Sequence, residues 1–285
     1  MSSWPSARVR EFAERETFKL LVPRVRDDRP ANVNDDFVST DGGQLAVRCY
    51  PAAGRIAFVV IHGLLHTQDD IRASAQRLAA SGWPVVTYDL RGHGNSTAEL
   101  TTSGMVNQHI VDLGCVMDKL GELIPTARRA IPVGQSFSAW TVLAYAGGPG
   151  REKVAGVVCD SGPAPSAPEH IGWLVASSAR GSNDDELRES FAEVLELATC
   201  HAASALRQEA AWPPGPLRSG VPGLFLSGSR DRVIPASAVA QVADTVPGSR
   251  HIIFDKATHC RLFSAAPERY LTLLSTMAKE ADSNA

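Results

Sequence analysis

Apolar and polar residues along this chain fall into two rhythms that alternate. Short, mostly apolar runs recur at 56–61, 85–88, 130–133, 154–159, 224–226 and 251–254. Of these, 56–61 is apolar at every position, which suits a strand buried on both faces, and the others read as strands. Between the runs, apolar residues return every three or four positions. Ile71, Ala75, Leu78 and Ala79 mark a helix over 70–80. Val111, Cys115, Leu120 and Leu123, with Met117 less regularly, mark one over 108–123. The same spacing covers 139–145, closed by Gly147-Gly148, and returns over 236–246 and 268–279. The alternation predicts an α/β fold with a mostly parallel central sheet and helices on both faces.

Two segments depart from the rhythm. Ahead of it, Phe37 to Thr40 and Leu45 to Tyr50 flank Asp41-Gly42-Gly43, and Asp-Gly between alternating runs predicts a hairpin. Residues 1–35 are polar, with Val9, Phe12, Phe18, Leu20 and Leu21 scattered among them. They read as an N-terminal extension, a short helix followed by a loop through 27–30. The second departure is 162–220, which has no strand-like run. Stretches 169–179 and 184–211 read as helical, the latter with Leu187, Phe191, Val194, Leu195 and Ala198 on one stripe, ended by Trp212-Pro213-Pro214-Gly215-Pro216. The expected organisation is a core of 36–161 and 221–285 interrupted by a helical cap insertion at 162–220. The cap would lie over the carboxyl edge of the sheet, where open α/β sheets bind ligands.

Candidate chemistry concentrates at strand ends. Ala130-Ile131-Pro132-Val133 runs into Gly134-Gln135-Ser136-Phe137-Ser138 and then into the 139–145 helix. Strand, tight turn and helix in that order raise a serine hydroxyl above the sheet, with the helix N-terminus behind it. Ser136 is therefore the candidate nucleophile. The usual pattern ends in glycine, and here that position is Ser138. With any small residue allowed there, Gly94-Asn95-Ser96-Thr97-Ala98 fits too, but Ser96 follows a polar loop and no apolar helix comes directly after it. A serine nucleophile needs a base and the base an orienting acid. His259, in the loop after the 251–254 strand, is the candidate base. Asp231, just past 224–226, is the candidate acid, with Asp160 at the end of 154–159 as its substitute. For the oxyanion, the backbone N–H of Phe137 and that of Leu64, in the His62-Gly63-Leu64 loop, are the candidate donors. His62 reads as a brace for that loop. His62 and His66 with Asp69 and Asp70 match no metal-ligand spacing, so no metal is expected.

Bulk properties narrow the partners. A net charge of −3 provides no basic field for nucleic acid. No stretch approaches the roughly 18 apolar residues of a membrane span, and residues 1–30 lack the apolar centre of a secretory signal. Five cysteines, odd in number and far apart, read as free thiols of a cytoplasmic protein.

Taken in order, Asp41-Gly42-Gly43, His62-Gly63, Tyr88-Asp89-Leu90-Arg91-Gly92-His93-Gly94-Asn95-Ser96, Gly134-Gln135-Ser136-Phe137-Ser138, Gly228-Ser229-Arg230-Asp231 and His259 resemble the α/β-hydrolase fold superfamily over about residues 36–280. The likeness is to the capped serine esterase and monoacylglycerol-lipase-like branch. It implies a nucleophile at Ser136, acid at Asp231, base at His259 and oxyanion donors at Leu64 and Phe137. It also implies a small-molecule ester or thioester substrate and no cofactor. Relatives with an aspartate nucleophile do not fit the serine at 136. An acyltransferase or cyclising thioesterase using the same three residues, and a ligand-binding receptor-like protein with negligible turnover, remain open. So does the oligomeric state, a homodimer included.

Overall fold

The computed structural model describes residues 5–22, 25–26, 36–101, 104–148, 152–206, 217 and 221–283. The sequence-predicted loop at 27–30, the end of the 184–211 helix and the Trp212 to Pro216 terminator lie outside these residues.

An eight-stranded sheet organises the chain. Ten strands are described: β1 (Val25–Arg26), β2 (Asp36–Thr40), β3 (Gly43–Tyr50), β4 (Ile56–Ile61), β5 (Val85–Tyr88), β6 (His93–Gly94), β7 (Arg129–Gln135), β8 (Val157–Asp160), β9 (Gly223–Gly228) and β10 (Arg250–Phe254). The large sheet runs β10-β9-β8-β7-β4-β5-β3-β2, and β1 pairs with β6 apart from it. The β2–β3 hairpin and the β3–β5 pair are antiparallel; all other pairs of the large sheet are parallel. The sheet is thus mostly parallel, as the strand–helix alternation predicts.

The unbroken apolar run at 56–61 has a direct cause in this arrangement. All six residues of β4 are buried. Ala57, Val59 and Ile61 face one core, and Ile56, Phe58 and Val60 face a second core on the other side of the sheet. The first core is closed by α3 (Met105–Asp118), α5 (Phe137–Gly147) and α9 (Ala236–Ala243); the second by α2 (Arg72–Ala80), α10 (Leu262–Ala265) and α11 (Pro267–Ser283). Burying one such aliphatic side chain contributes about 1.5–3 kcal/mol, so the central strands form a rigid base for the loops at their carboxyl ends.

Several boundaries differ from the sequence expectation. The 108–123 helix starts three residues earlier, behind Gly104 in the left-handed region, and breaks at Lys119 into α3 and α4 (Leu120–Leu123). The 154–159 strand shortens to β8, with Val154 contributing an isolated bridge to Ala130. The 184–211 helix divides at Ser190 into α7 (Asp185–Glu189) and α8 (Phe191–Ala205). Asp184 caps α7, its side chain accepting from the Leu187 N–H at 3.4 Å. A local cap of this kind competes with continuing one long helix.

The inserted segment is helical throughout its described elements: α6 (Ala167–Arg180), α7 and α8. Helix α6 packs along α8, and α1 (Ala7–Leu21), from the N-terminal extension, packs on both. Val9, Phe12, Ala13, Leu20 and Leu21 of α1 are buried, and Arg8 pairs with Asp184. The N-terminal helix therefore joins the inserted helices in space. No helix among the described residues is long and apolar enough to cross a membrane.

Candidate active site

The 134–138 turn is built by steric necessity. A Cβ on Gly134 would overlap the Ser138 carbonyl oxygen, so only glycine lets the chain reverse there. Ser136 sits at φ 53° and ψ −119°, an unusual backbone state for a residue with a side chain. Such a state costs on the order of 1–3 kcal/mol and persists only where its surroundings enforce it. Here β7 enters with six of its seven residues buried and α5 leaves with nine of its eleven buried. The Ser136 N–H donates to the Asp160 carbonyl at 2.8 Å, which pins the turn to the end of β8.

Three separate loops bring Ser136, His259 and Asp231 together. His259 Nε2 lies 2.9 Å from Ser136 Oγ, and its Nδ1 lies 2.8 Å from Asp231 Oδ2. The other Asp231 oxygen accepts from the Val233 and Ile234 N–H groups at 2.8 and 2.9 Å. A carboxylate only accepts, so in the neutral ring Nδ1 carries the proton and Nε2 presents a lone pair to the Ser136 hydroxyl. Asp160, the substitute acid, is otherwise engaged. It accepts from Ser161 Oγ at 2.8 Å, Tyr270 Oη at 2.9 Å and Gln135 Nε2 at 3.3 Å. Ser161 Oγ in turn accepts the Cys260 N–H at 3.0 Å, so the Asp160 cluster braces the loop that carries His259.

The 62–64 loop passes directly over the turn. A Cβ added to Gly63 would stand 3.0 Å from Ser136 Cβ, a closeness only glycine permits comfortably. His62 holds the loop with both ring nitrogens: Nδ1 bonds the Gly63 carbonyl at 2.8 Å, and Nε2 accepts the Leu90 N–H at 3.1 Å. Ser138 Oγ donates to the His62 carbonyl at 2.6 Å, so the residue that departs from the usual glycine ties the two loops together. The N–H groups of Leu64 and Phe137 have no acceptor among the described residues. Ser96, the other serine in a similar motif, has both of its roles filled by backbone. Its Oγ donates to the Asp89 carbonyl at 2.6 Å and accepts the Ala46 N–H at 3.0 Å.

Residues 58–273 match the alpha/beta hydrolase family. The chain belongs to that family. Solved structures of similar fold include an esterase from Pyrococcus furiosus, with TM-score 0.67 and 16% identity over 91% of this chain and 98% of that one. An esterase from Exiguobacterium antarcticum gives TM-score 0.62 and 20% identity over 85% and 98%. One from a Rhodococcus species gives 0.59 and 19% over 87% and 99%.

In this alpha/beta hydrolase the serine also touches a residue that the motifs do not include. His170, in the first turn of α6, places Nε2 3.2 Å from Ser136 Oγ. A lone histidine in an apolar helix gives no sequence signal. The useful cue is positional, since the helix starts seven residues past the end of β8, at the carboxyl edge of the sheet. At the other end of α6, Arg180 stacks over the Phe191 ring at 3.9 Å and donates to the Arg232 carbonyl at 3.4 Å, beside Asp231. Helix α6 thus reaches the site at both ends.

Electrostatics differ among the histidines. Burial disfavours a charged His259, but the neighbouring Cys260 sulfur and the Asp231 carboxylate outweigh it and raise its pKa. Burial pushes the Cys260 thiol up. It stays protonated near neutrality, so Asp231 is the charge acting on the ring there. Burial lowers His66, against Asp70 and with His259 and Arg261. Burial and the nearby His259 push His170 down to about 3. A cavity of about 730 Å³ opens beside Asp231 and His259, rimmed by the exposed Arg230, Arg232 and Arg261.

Proposed function

We propose that the chain is a serine hydrolase that cleaves a carboxylic ester or thioester through an acyl-enzyme on Ser136. The unbroken hydrogen-bond chain Asp231–His259–Ser136, at 2.8 and 2.9 Å, is the observation that carries this reading. In acylation His259 Nε2 removes the Ser136 proton as Oγ attacks the carbonyl carbon. Asp231 keeps the ring in the required tautomer and stabilises the imidazolium. The Leu64 and Phe137 N–H groups receive the developing oxyanion. The imidazolium then protonates the leaving group, and water activated by His259 releases the acid. Every step uses side chains and backbone of the chain itself and calls for no cofactor or metal.

The esterases among the solved structures of similar fold agree with this reading. The five cysteines are all unpaired, which favours a cytoplasmic setting. We further assign α6, α7 and α8, with α1 behind them, as a cap that selects substrate through residues such as Trp173 and Phe191, whose rings lie 5.7 Å apart.

A panel of p-nitrophenyl esters and acyl thioesters of graded acyl length tests the function. It should include a carboxylate-bearing ester because of the arginine rim. Release of free acid is expected, with the preferred acyl length shifting in Trp173→Ala. Product carrying an added alcohol or amine in place of water would make the enzyme an acyltransferase. Binding without turnover across the panel would make it a receptor-like protein. An unshifted preference would leave the inserted helices without a role in selection.

A further inference from the structure

His170 makes a hydrogen bond to the nucleophile whose direction can be assigned from its surroundings. The ring is fully buried and stands edge-on to Phe137, centroids 5.6 Å apart at 87°. Its Nδ1 lies 3.2 Å from the Ala164 N–H. A backbone N–H can only donate, so Nδ1 must be the unprotonated nitrogen. The ring proton of the neutral tautomer is then on Nε2, and Nε2 donates to Ser136 Oγ. Burial holds the ring in that neutral form. Ser136 Oγ therefore gives its proton to one histidine and accepts a proton-bearing contact from another, with one lone pair left for attack.

We propose that His170 is a catalytic residue, a fixed hydrogen-bond donor that holds Ser136 Oγ in its attacking position and stabilises the charge on that oxygen. This rests on the reading of Ser136 as nucleophile. In acylation the Oγ–H bond breaks, the proton passes to His259 Nε2 and on to the leaving group, and Oγ bonds the acyl carbon as the bond to the leaving group breaks. In deacylation a water gives a proton to His259 as its oxygen bonds the acyl carbon, the Oγ–carbon bond breaks with its electron pair returning to Oγ, and that proton passes from His259 to Oγ. Oγ carries partial negative charge at both moments. A hydrogen bond to an oxygen gaining charge strengthens as the charge grows, so it favours the transition state over the ground state. His170 keeps its own proton throughout. Its lone pair is occupied by Ala164, so it cannot replace His259 as base. The donor comes from α6, which therefore completes the surroundings of the nucleophile as well as covering the sheet edge.

The test is the rate of fluorophosphonate labelling and the kcat and KM for a p-nitrophenyl ester, measured on the full chain as His170→Leu and His170→Gln. Circular dichroism and melting curves accompany both. Loss of one charge-assisted hydrogen bond predicts a fall of roughly 10- to 100-fold in labelling rate and kcat for the leucine variant, with KM little changed. Glutamine has an amide donor near the position of Nε2, and it should recover most of that loss. If the leucine variant unfolds, His170→Met supplies an apolar, donor-free side chain, and the glutamine-to-methionine ratio reads the same quantity. A leucine or methionine variant as fast as the parent overturns the inference. So does an equal loss in the glutamine variant, which would reduce His170 to packing. A folded parent that does not label at Ser136 would instead count against the hydrolase reading.

Discussion

Two turns in this chain are spelled almost alike and do different work. Gly94-Asn95-Ser96 and Gly134-Gln135-Ser136 both place a serine two residues after a glycine. Around Ser96 the hydroxyl is used up by backbone, since it bridges the Asp89 carbonyl and the Ala46 N–H and ties the loop to β3. Around Ser136 the hydroxyl meets two imidazoles, His259 at 2.9 Å and His170 at 3.2 Å. The difference lies in what the fold delivers to each turn. The 94–96 turn begins in β6, a two-residue strand that pairs with β1 apart from the large sheet. The 134–136 turn ends a central strand whose neighbours, β4 and β8, carry the 62–64 loop and Asp160 to the same level. A motif supplies a hydroxyl, and the side chains that the fold brings to it decide what that hydroxyl touches.

The strongest way to break the comparison is to delete each hydroxyl. Ser136→Ala is expected to lower ester turnover on the order of 10⁴–10⁶-fold with little change in melting temperature. Ser96→Ala should keep turnover and lose stability, because it leaves the Ala46 N–H without its partner, at a cost of about 1–3 kcal/mol. Steady-state kinetics with denaturant melts of both variants read the two effects separately. The reverse pattern would exchange the roles of the turns.

A second contrast concerns the two aspartates. Asp231→Asn keeps the shape but favours the wrong imidazole tautomer, with an expected loss of about 10⁴ in kcat. Asp160 touches Gln135, Ser161 and Tyr270 and makes no hydrogen bond to His259. Asp160→Asn should keep turnover within about tenfold of the parent. A larger loss in Asp160→Asn than in Asp231→Asn would move the acid to β8.

The smallest expected effect is on pH. His259 must be neutral to accept the Ser136 proton, so kcat/KM falls as pH drops through its pKa. Burial pulls that pKa down; against it act the Cys260 sulfur, uncharged near neutrality, and the Asp231 carboxylate, and the balance raises it. The acid limb is therefore expected to have a midpoint above about 6.5, the ordinary histidine value. Removing the Asp231 charge should move it downward. A pH–rate profile of the parent and of Asp231→Asn checks both statements, and a midpoint below the ordinary value in the parent would contradict them.

Much of the fold was legible because its signals are local. Buried parallel strands are mostly apolar, and β4, β5 and the 130–133 stretch of β7 show it. The Asp-Gly turn marks the β2–β3 hairpin, and Ser136, Asp231 and His259 each stand just past a strand. What escaped depends on contacts distant in sequence. Arg91 is buried against Asp112, with Nε to Oδ2 at 2.7 Å and Nη2 to Oδ1 at 2.6 Å, and also reaches Asp41 at 2.6 Å. Nothing local pairs residues that lie 21 and 50 positions apart. The placement of α1 against α6 and α8 is likewise tertiary, since scattered apolar residues show that a face is needed but not which surface receives it. His170 escaped for both reasons, having no motif of its own and a partner 34 residues away.

The central claim is that Ser136, and not Ser96, is the nucleophile. Its most direct measurement is the site of covalent attachment when the intact protein reacts with a fluorophosphonate, located by peptide mass spectrometry. A single adduct on the peptide containing Ser136 is expected, absent in Ser136→Ala and unchanged in Ser96→Ala. An adduct on Ser96, or a folded protein that takes up no reagent, would contradict it.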